Sequence, residues 1–115
     1  MIARTIHSTP KKENPHGVEV HKMYDDPTAQ IMHMTLQPGE GLKPHTTPVD
    51  VTFYVLEGRP TVLIGEETKH FEEDTLIESP AHIVHSLLNE SEQVARVLVI
   101  KAPRPSGPGK MVPSK

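Results

Sequence analysis

The side chains with the most chemistry in this chain are its eight histidines: His7, His16, His21, His33, His45, His70, His82 and His85. Imidazole ligates zinc, iron, nickel and copper. It also titrates near neutrality and can therefore act as acid or base. The histidines are dispersed, so they do not form a tag-like run. His45 stands alone in an irregular stretch, residues 39–48, between a Pro38-Gly39 turn and a strand-like run at 51–56. That placement marks a candidate site at a strand start. His21, His33 and His70 read as ordinary exposed or hydrogen-bonded sheet residues, and His7 and His16 as solvent-exposed. Other chemistries lack their residues. There is no cysteine, hence no thiolate ligand, no cysteine nucleophile and no disulfide. Glu66-Glu67 and residues 72–74 look like solvated acidic turns rather than the paired carboxylates of a glycosidase. Ser79 and Ser86 have no nucleophile context. Gly39 and Gly41 lack the strand–loop–helix setting of a phosphate loop.

The elements that must position these histidines are strands. Residues 18–23 (VEVHKM) alternate, with Val18, Val20 and Lys22 on one face. In residues 29–37, Met32, Met34 and Leu36 share the face expected in the core, and Ile31, His33 and Thr35 share the other. Residues 50–56 form the strongest strand, closed by Glu57-Gly58. Short strands follow at 61–64, 68–71, 75–77 and 83–88, and an apolar one at 93–100. Gly65-Glu66 reads as a hairpin turn. Twelve prolines and seven glycines argue for many turns and against long helices. No segment has helical periodicity, which points to a sandwich, jelly roll or barrel. A small open antiparallel sheet would need a covering helix that the chain does not offer.

At 115 residues the chain is one domain with a modest core. Only Tyr24, Phe53, Tyr54 and Phe71 are aromatic, so that core is aliphatic. A formal net charge of -3, with scattered basic residues, excludes a nucleic-acid footprint. No apolar run has the length of a membrane span. The polar N-terminus lacks a signal-peptide core, so a cytoplasmic location is expected.

Pro38-Gly39, His45 and residues 54–58 (YVLEG) resemble the first motif of the cupin superfamily: a Gly, a His-x-His pair, a Glu and a closing Gly. Residues 74–89 (DTLIESPAHIVHSLLN) resemble its second motif, in which a Pro, a Gly, a His and an Asn recur at set intervals. The resemblance covers residues 38–89, and the flanking strands fit the rest of one small barrel. It implies an all-β fold, a cupin-like double-stranded β-helix or jelly-roll barrel. Residues 1–17 would then be an N-terminal arm, 18–102 the barrel and 103–115 a flexible Pro/Gly-rich tail. Ile2 and Ile6 in the arm could add an edge strand or cover a partner subunit.

Members of that family commonly hold a divalent metal through two histidines and a glutamate of the first motif and one histidine of the second. Carried over by position, His45 and His85 match a histidine of each motif, and Asn89 matches the asparagine. Thr47 stands where the second histidine would be, Val51 where the glutamate would be, and His82 where the second motif has its glycine. The implied metal ligands are therefore His45 and His85. Asp50 and His82 are candidates for a third, although Asp50 is one residue out of phase and needs a bulge to face inward. Thr47, Phe53 and Asn89 are implied as pocket residues. The implied cofactor is one divalent transition metal (Zn, Fe, Mn or Ni), with a buried, metal-free histidine pair as the alternative.

Three functions follow from the resemblance. One is a stand-alone cupin binding a small polar molecule, through a divalent ion at His45 and His85 or without one. A second is a metal-dependent isomerase, decarboxylase or dioxygenase acting on a small acid or sugar derivative. The third is a non-catalytic structural dimer. A homodimer is expected in each case, with no nucleic-acid or membrane partner.

Overall fold

The computed structural model describes residues 1–107 and 109–112. Ten strands follow one another: β1 (Glu19–Asp26), β2 (Ala29–Leu36), β3 (His45–Thr46), β4 (Val51–Glu57), β5 (Thr61–Ile64), β6 (Glu67–His70), β7 (Leu76–Ser79), β8 (His85–Leu88), β9 (Ala95–Lys101) and β10 (Lys110–Met111). They form two five-stranded sheets, ordered β1-β2-β9-β4-β7 and β10-β3-β8-β5-β6. Every pairing is antiparallel. This is the all-β double-stranded β-helix that the strand pattern and the two motifs imply.

Period-two alternation builds the core. On the inner face of the first sheet, Met34 pairs with Val97, Met32 with Val99, Val55 with Val97 and Phe53 with Val99. Across from them the second sheet sets Leu87 against Val62. All of these residues are buried. Aliphatic side chains on two facing pleated sheets exclude water between them, which is the main favourable term in the fold. Gly58 ends β4 at a bulge between Val55 and Glu57 and has φ of 82°. It is the residue type that tolerates such a turn.

Asn89 sits at the far end of the barrel from the histidines. It is fully buried, and its side-chain amide donates to the carbonyls of Leu36 and Gln93 while its oxygen accepts from Ser91. It ties together the end of β2, the following loop and the approach to β9.

Both chain ends depart from expectation. Ile2 is exposed and makes no strand. Instead Lys11 bridges to His21, and the Lys12 amide donates to the Val20 carbonyl. The arm therefore extends the β1 edge through its lysines, not its isoleucines. In the tail, β10 pairs with β3, setting Met111 opposite His45. Of the flexible tail expected over residues 103–115, residues 108 and 113–115 lie outside the described residues.

Candidate functional site

β3 and β8 are adjacent, and their register places His45 directly opposite His85. The two histidines are far apart in sequence, and antiparallel pairing alone brings them together. Their Nε2 atoms are 3.2 Å apart, and the rings meet edge to face with centroids 4.6 Å apart. Phe53 and His85 meet in a T-shaped contact, with centroids 5.4 Å apart. Thr47 is buried, and its hydroxyl is 3.3 Å from His85 Nε2.

The proton positions follow from fixed partners. The Lys43 carbonyl can only accept, so His45 Nδ1–H donates to it at 2.8 Å. The neutral His45 ring therefore points an Nε2 lone pair at His85. The Ser79 hydroxyl lies 2.7 Å from His85 Nδ1, and only 1% of Ser79 is exposed. If Ser79 donates, His85 Nε2–H bonds to His45 and the pair closes on itself. If Ser79 accepts, both Nε2 lone pairs face one point. A hydroxyl serves either tautomer.

His16 completes the imidazole cluster. Its ring is tilted against that of His45, with centroids 5.1 Å apart, and its Nδ1 accepts the Lys43 amide at 2.8 Å. Its neutral ring therefore carries the proton on Nε2 and is a donor, not a third lone pair. His16 is thus half-buried, where the sequence suggested solvent exposure. Burial pushes His85 down to about 4, helped by nearby His45 and Lys101. Burial, then His45, takes His16 down to about 4 as well. His45 is also lowered by burial, partly offset by its bond to the Lys43 carbonyl. All three rings are therefore neutral at pH 7.

These rings line a cavity of about 410 Å³ whose other walls include Met32, Met34, Leu42, Phe53 and Val99. The methionines line this space rather than fill it. The arm, through Lys12 to His16, and the tail, through Pro105 to Gly107, form its rim. Lys101 also lines it. Burial first, then Lys12, lowers its pKa.

Of the residues singled out from sequence, the fold brings together His45, His85, Thr47 and Phe53. It does not bring in the others. Asp50 is exposed, and its carboxylate accepts the Ala81 amide at 2.8 Å. No bulge turns it inward. His82 is exposed in a turn with φ of 65°, and its amide donates to the Thr47 carbonyl. Asn89 is at the other end of the barrel. Val51 does face the cavity, so an apolar side chain stands there. Among the described residues no group of three His, Asp or Glu side chains converges as a metal site.

Three site residues escaped the sequence. Ser79 is reached only through its pairing with Val51. His16 arrives from the arm. Lys101 was legible in principle, because it continues the inward phase of Ala95, Val97 and Val99 in β9.

Two imidazole nitrogens on one tetrahedral ion, each at about 2.0–2.1 Å, stand roughly 3.3 Å apart. The 3.2 Å between the Nε2 atoms matches that separation. The Lys43 carbonyl on His45 Nδ1 is a usual support for such a ligand, and the Ser79 hydroxyl takes the corresponding place at His85. Two protein ligands are nevertheless few for zinc, so the fit is to an ion that takes its other ligands from solvent or a bound molecule.

Solved structures share this architecture. The TT1209 protein of Thermus thermophilus is 28% identical, with a TM-score of 0.78 over 91% of this chain and 100% of that one. The polyketide cyclase RemF of Streptomyces resistomycificus is 18% identical, with a TM-score of 0.83 over 100% of this chain and 88% of that one. KdgF of Halomonas sp. is 18% identical, with a TM-score of 0.80 over 92% and 96%. At 18% identity the last two likenesses concern the fold alone. No functionally curated protein matches the sequence. Residues 32–101, from the second strand to the end of the ninth, match the cupin domain model. With that match spanning most of the barrel and both histidine-bearing strands, the chain belongs to the cupin domain family.

Proposed function

We propose that this chain is a cupin that binds a small polar molecule against His45 and His85, with a divalent transition metal (Zn, Fe, Mn or Ni) shared between the two imidazoles and the ligand. The observation that carries this reading is the pair of Nε2 atoms 3.2 Å apart on the wall of a cavity of about 410 Å³. Both rings are neutral at pH 7 by burial, so protons do not compete for their lone pairs. A bound ion would polarise a ligand oxygen. The chain's own residues hold the rings: Ser79 and the Lys43 carbonyl fix them from behind, Phe53 packs against His85, and the His16 Nε2–H is a donor for the ligand. With Thr47 and Val51 at two of the positions where relatives carry ligands, the protein supplies only two, and the ligand supplies the rest.

Acid–base catalysis without a metal is the weaker reading. A general base works best with a pKa near the working pH, and His85 is held down at about 4. A homodimer belongs to the same proposal, checked by sedimentation of the full chain.

The test is metal uptake by untagged protein, followed by calorimetry and elemental analysis with Zn²⁺, Ni²⁺, Mn²⁺ and Fe²⁺. One equivalent is expected for the wild type and none for His45→Ala or His85→Ala. Equal uptake by the variants, or no uptake by the wild type, sinks the metal reading.

A further inference from the structure

We propose that the inward-facing ammonium of Lys101, supported by Lys12, is an anion subsite that selects the carboxylate of a small organic acid with an apolar body. This rests on the reading that the cavity is the ligand site, and goes beyond it by naming the ligand's chemical class.

Lys101 is the last residue of β9, in phase with Ala95, Val97 and Val99, all of them inward. Its register partners are Gln30 on β2 and Val51 on β4, so it stands in the middle of the sheet, not at an edge. Val51 is in turn paired with Ser79, which lies directly behind His85. The ammonium therefore belongs to the same end of the barrel as the imidazoles. A lysine at an inward position with three apolar neighbours in phase is costly unless its charge is answered. Among the described residues no carboxylate lies within ion-pair distance of it. Two lysines, Lys12 and Lys101, and one carboxylate residue, Glu13, line the cavity. The cavity lining thus carries an excess of positive charge.

An anion restores that balance, and a partly desolvated ammonium attracts it more strongly than an exposed one would. Lys101 is the stronger partner. Lys12 is exposed at the rim, where an ion pair contributes little. The rest of the ligand is set by the walls. Met32, Met34, Phe53 and Val99 present an apolar surface, and methionine adapts to varied shapes. A small sugar would leave its hydroxyls facing these side chains without partners. An acid with a short apolar body satisfies both the walls and the ammonium.

Sodium butanoate and its uncharged isostere butanamide separate charge from shape. They are titrated into metal-free full-length protein at matched ionic strength and followed by amide chemical shifts. The wild type is expected to bind butanoate at least about tenfold more tightly than butanamide. Lys101→Met should abolish the preference, Lys101→Arg should retain most of it, and Lys12→Met should change it by less than about threefold. The amide spectrum of each variant reports whether it is folded. Equal binding of acid and amide by the wild type overturns the proposal. So does a preference that survives Lys101→Met, or no binding of either compound at about 50 mM. Metal uptake lost with the acid preference intact removes the metal reading alone, whereas metal uptake without an acid preference removes this one alone.

Discussion

At the scale of single residues, the site depends on which nitrogen of His85 carries its proton. Ser79, whose hydroxyl is 2.7 Å from Nδ1 in a fully buried setting, can donate to that nitrogen or accept from it and so takes part in either tautomer. Ser79→Ala leaves a buried ring nitrogen without a partner, which costs roughly 1–3 kcal/mol. The variant should unfold at lower denaturant, and its His85 nitrogen shifts should report a changed tautomer balance. Unchanged nitrogen shifts would show that Ser79 does not set the tautomer. His33 uses the same chemistry to a structural end. It is buried on the outer face of the first sheet, where its Nε2 accepts from Arg96, itself paired with Glu57. Neighbours such as these decide whether a histidine is a ligand or a bolt, and the residue type does not.

At the scale of elements, β4 carries the most. It lies between β9 and β7 and presents Val51, Phe53 and Val55 to the interior. Its end is set by Gly58. A Cβ there would run into the Val94 carbonyl oxygen and press on Ala95, in a left-handed conformation that penalises any side chain. Gly58→Ala should therefore destabilise by about 2–4 kcal/mol, through strain and displacement of the β9 start. Thermal unfolding measures this, and a loss under about 1 kcal/mol would mean that the chain absorbs the change by shifting the bulge. Gly39 is a useful contrast: it also has positive φ, but open space surrounds its would-be Cβ.

At the scale of the whole molecule, burying neutral imidazoles makes stability depend on pH. His85 has an ordinary value of 6.5 when unfolded and about 4 when folded. The unfolded chain thus takes up its proton first as pH falls. Stability is complete above about 6.5 and drains away on the way to about 4. For metal-free protein the loss from this residue is on the order of 3–4 kcal/mol, since each pH unit is worth about 1.4. His16 adds to it in the same direction, but it is half-exposed and solvent screens its share. Urea denaturation at a series of pH values between about 7.5 and 4.5 should show the decline, with a shallower slope in His85→Asn. A flat profile would mean that the histidines are charged or solvated in the folded state.

The division between sequence and fold runs along the range of the interactions. Alternation along β2, β4 and β9, the Pro38-Gly39 turn and the Gly65 hairpin are local, and the sequence by itself determined them. It determined the all-β class and, through its two motifs, the barrel and the inward histidines. The rest depends on who meets whom across strands. His45 faces His85 because β3 lies beside β8, and Ser79 backs His85 because β7 reaches it alongside β4. Asp50 was a plausible carboxylate in the linear chain, but its place before β4 commits it to the Ala81 amide outside the barrel. His16 and Lys12 come to the cavity on an arm whose polar composition predicts no position. Period-two alternation says which face a residue takes, and Lys101 could have been placed by it. No periodicity says which neighbours that face will meet, because pairing between distant strands is decided by closure of the whole barrel. Only the tertiary structure showed that the cavity wall holds two imidazoles facing each other, a serine behind His85 and a lysine with no carboxylate partner among the described residues.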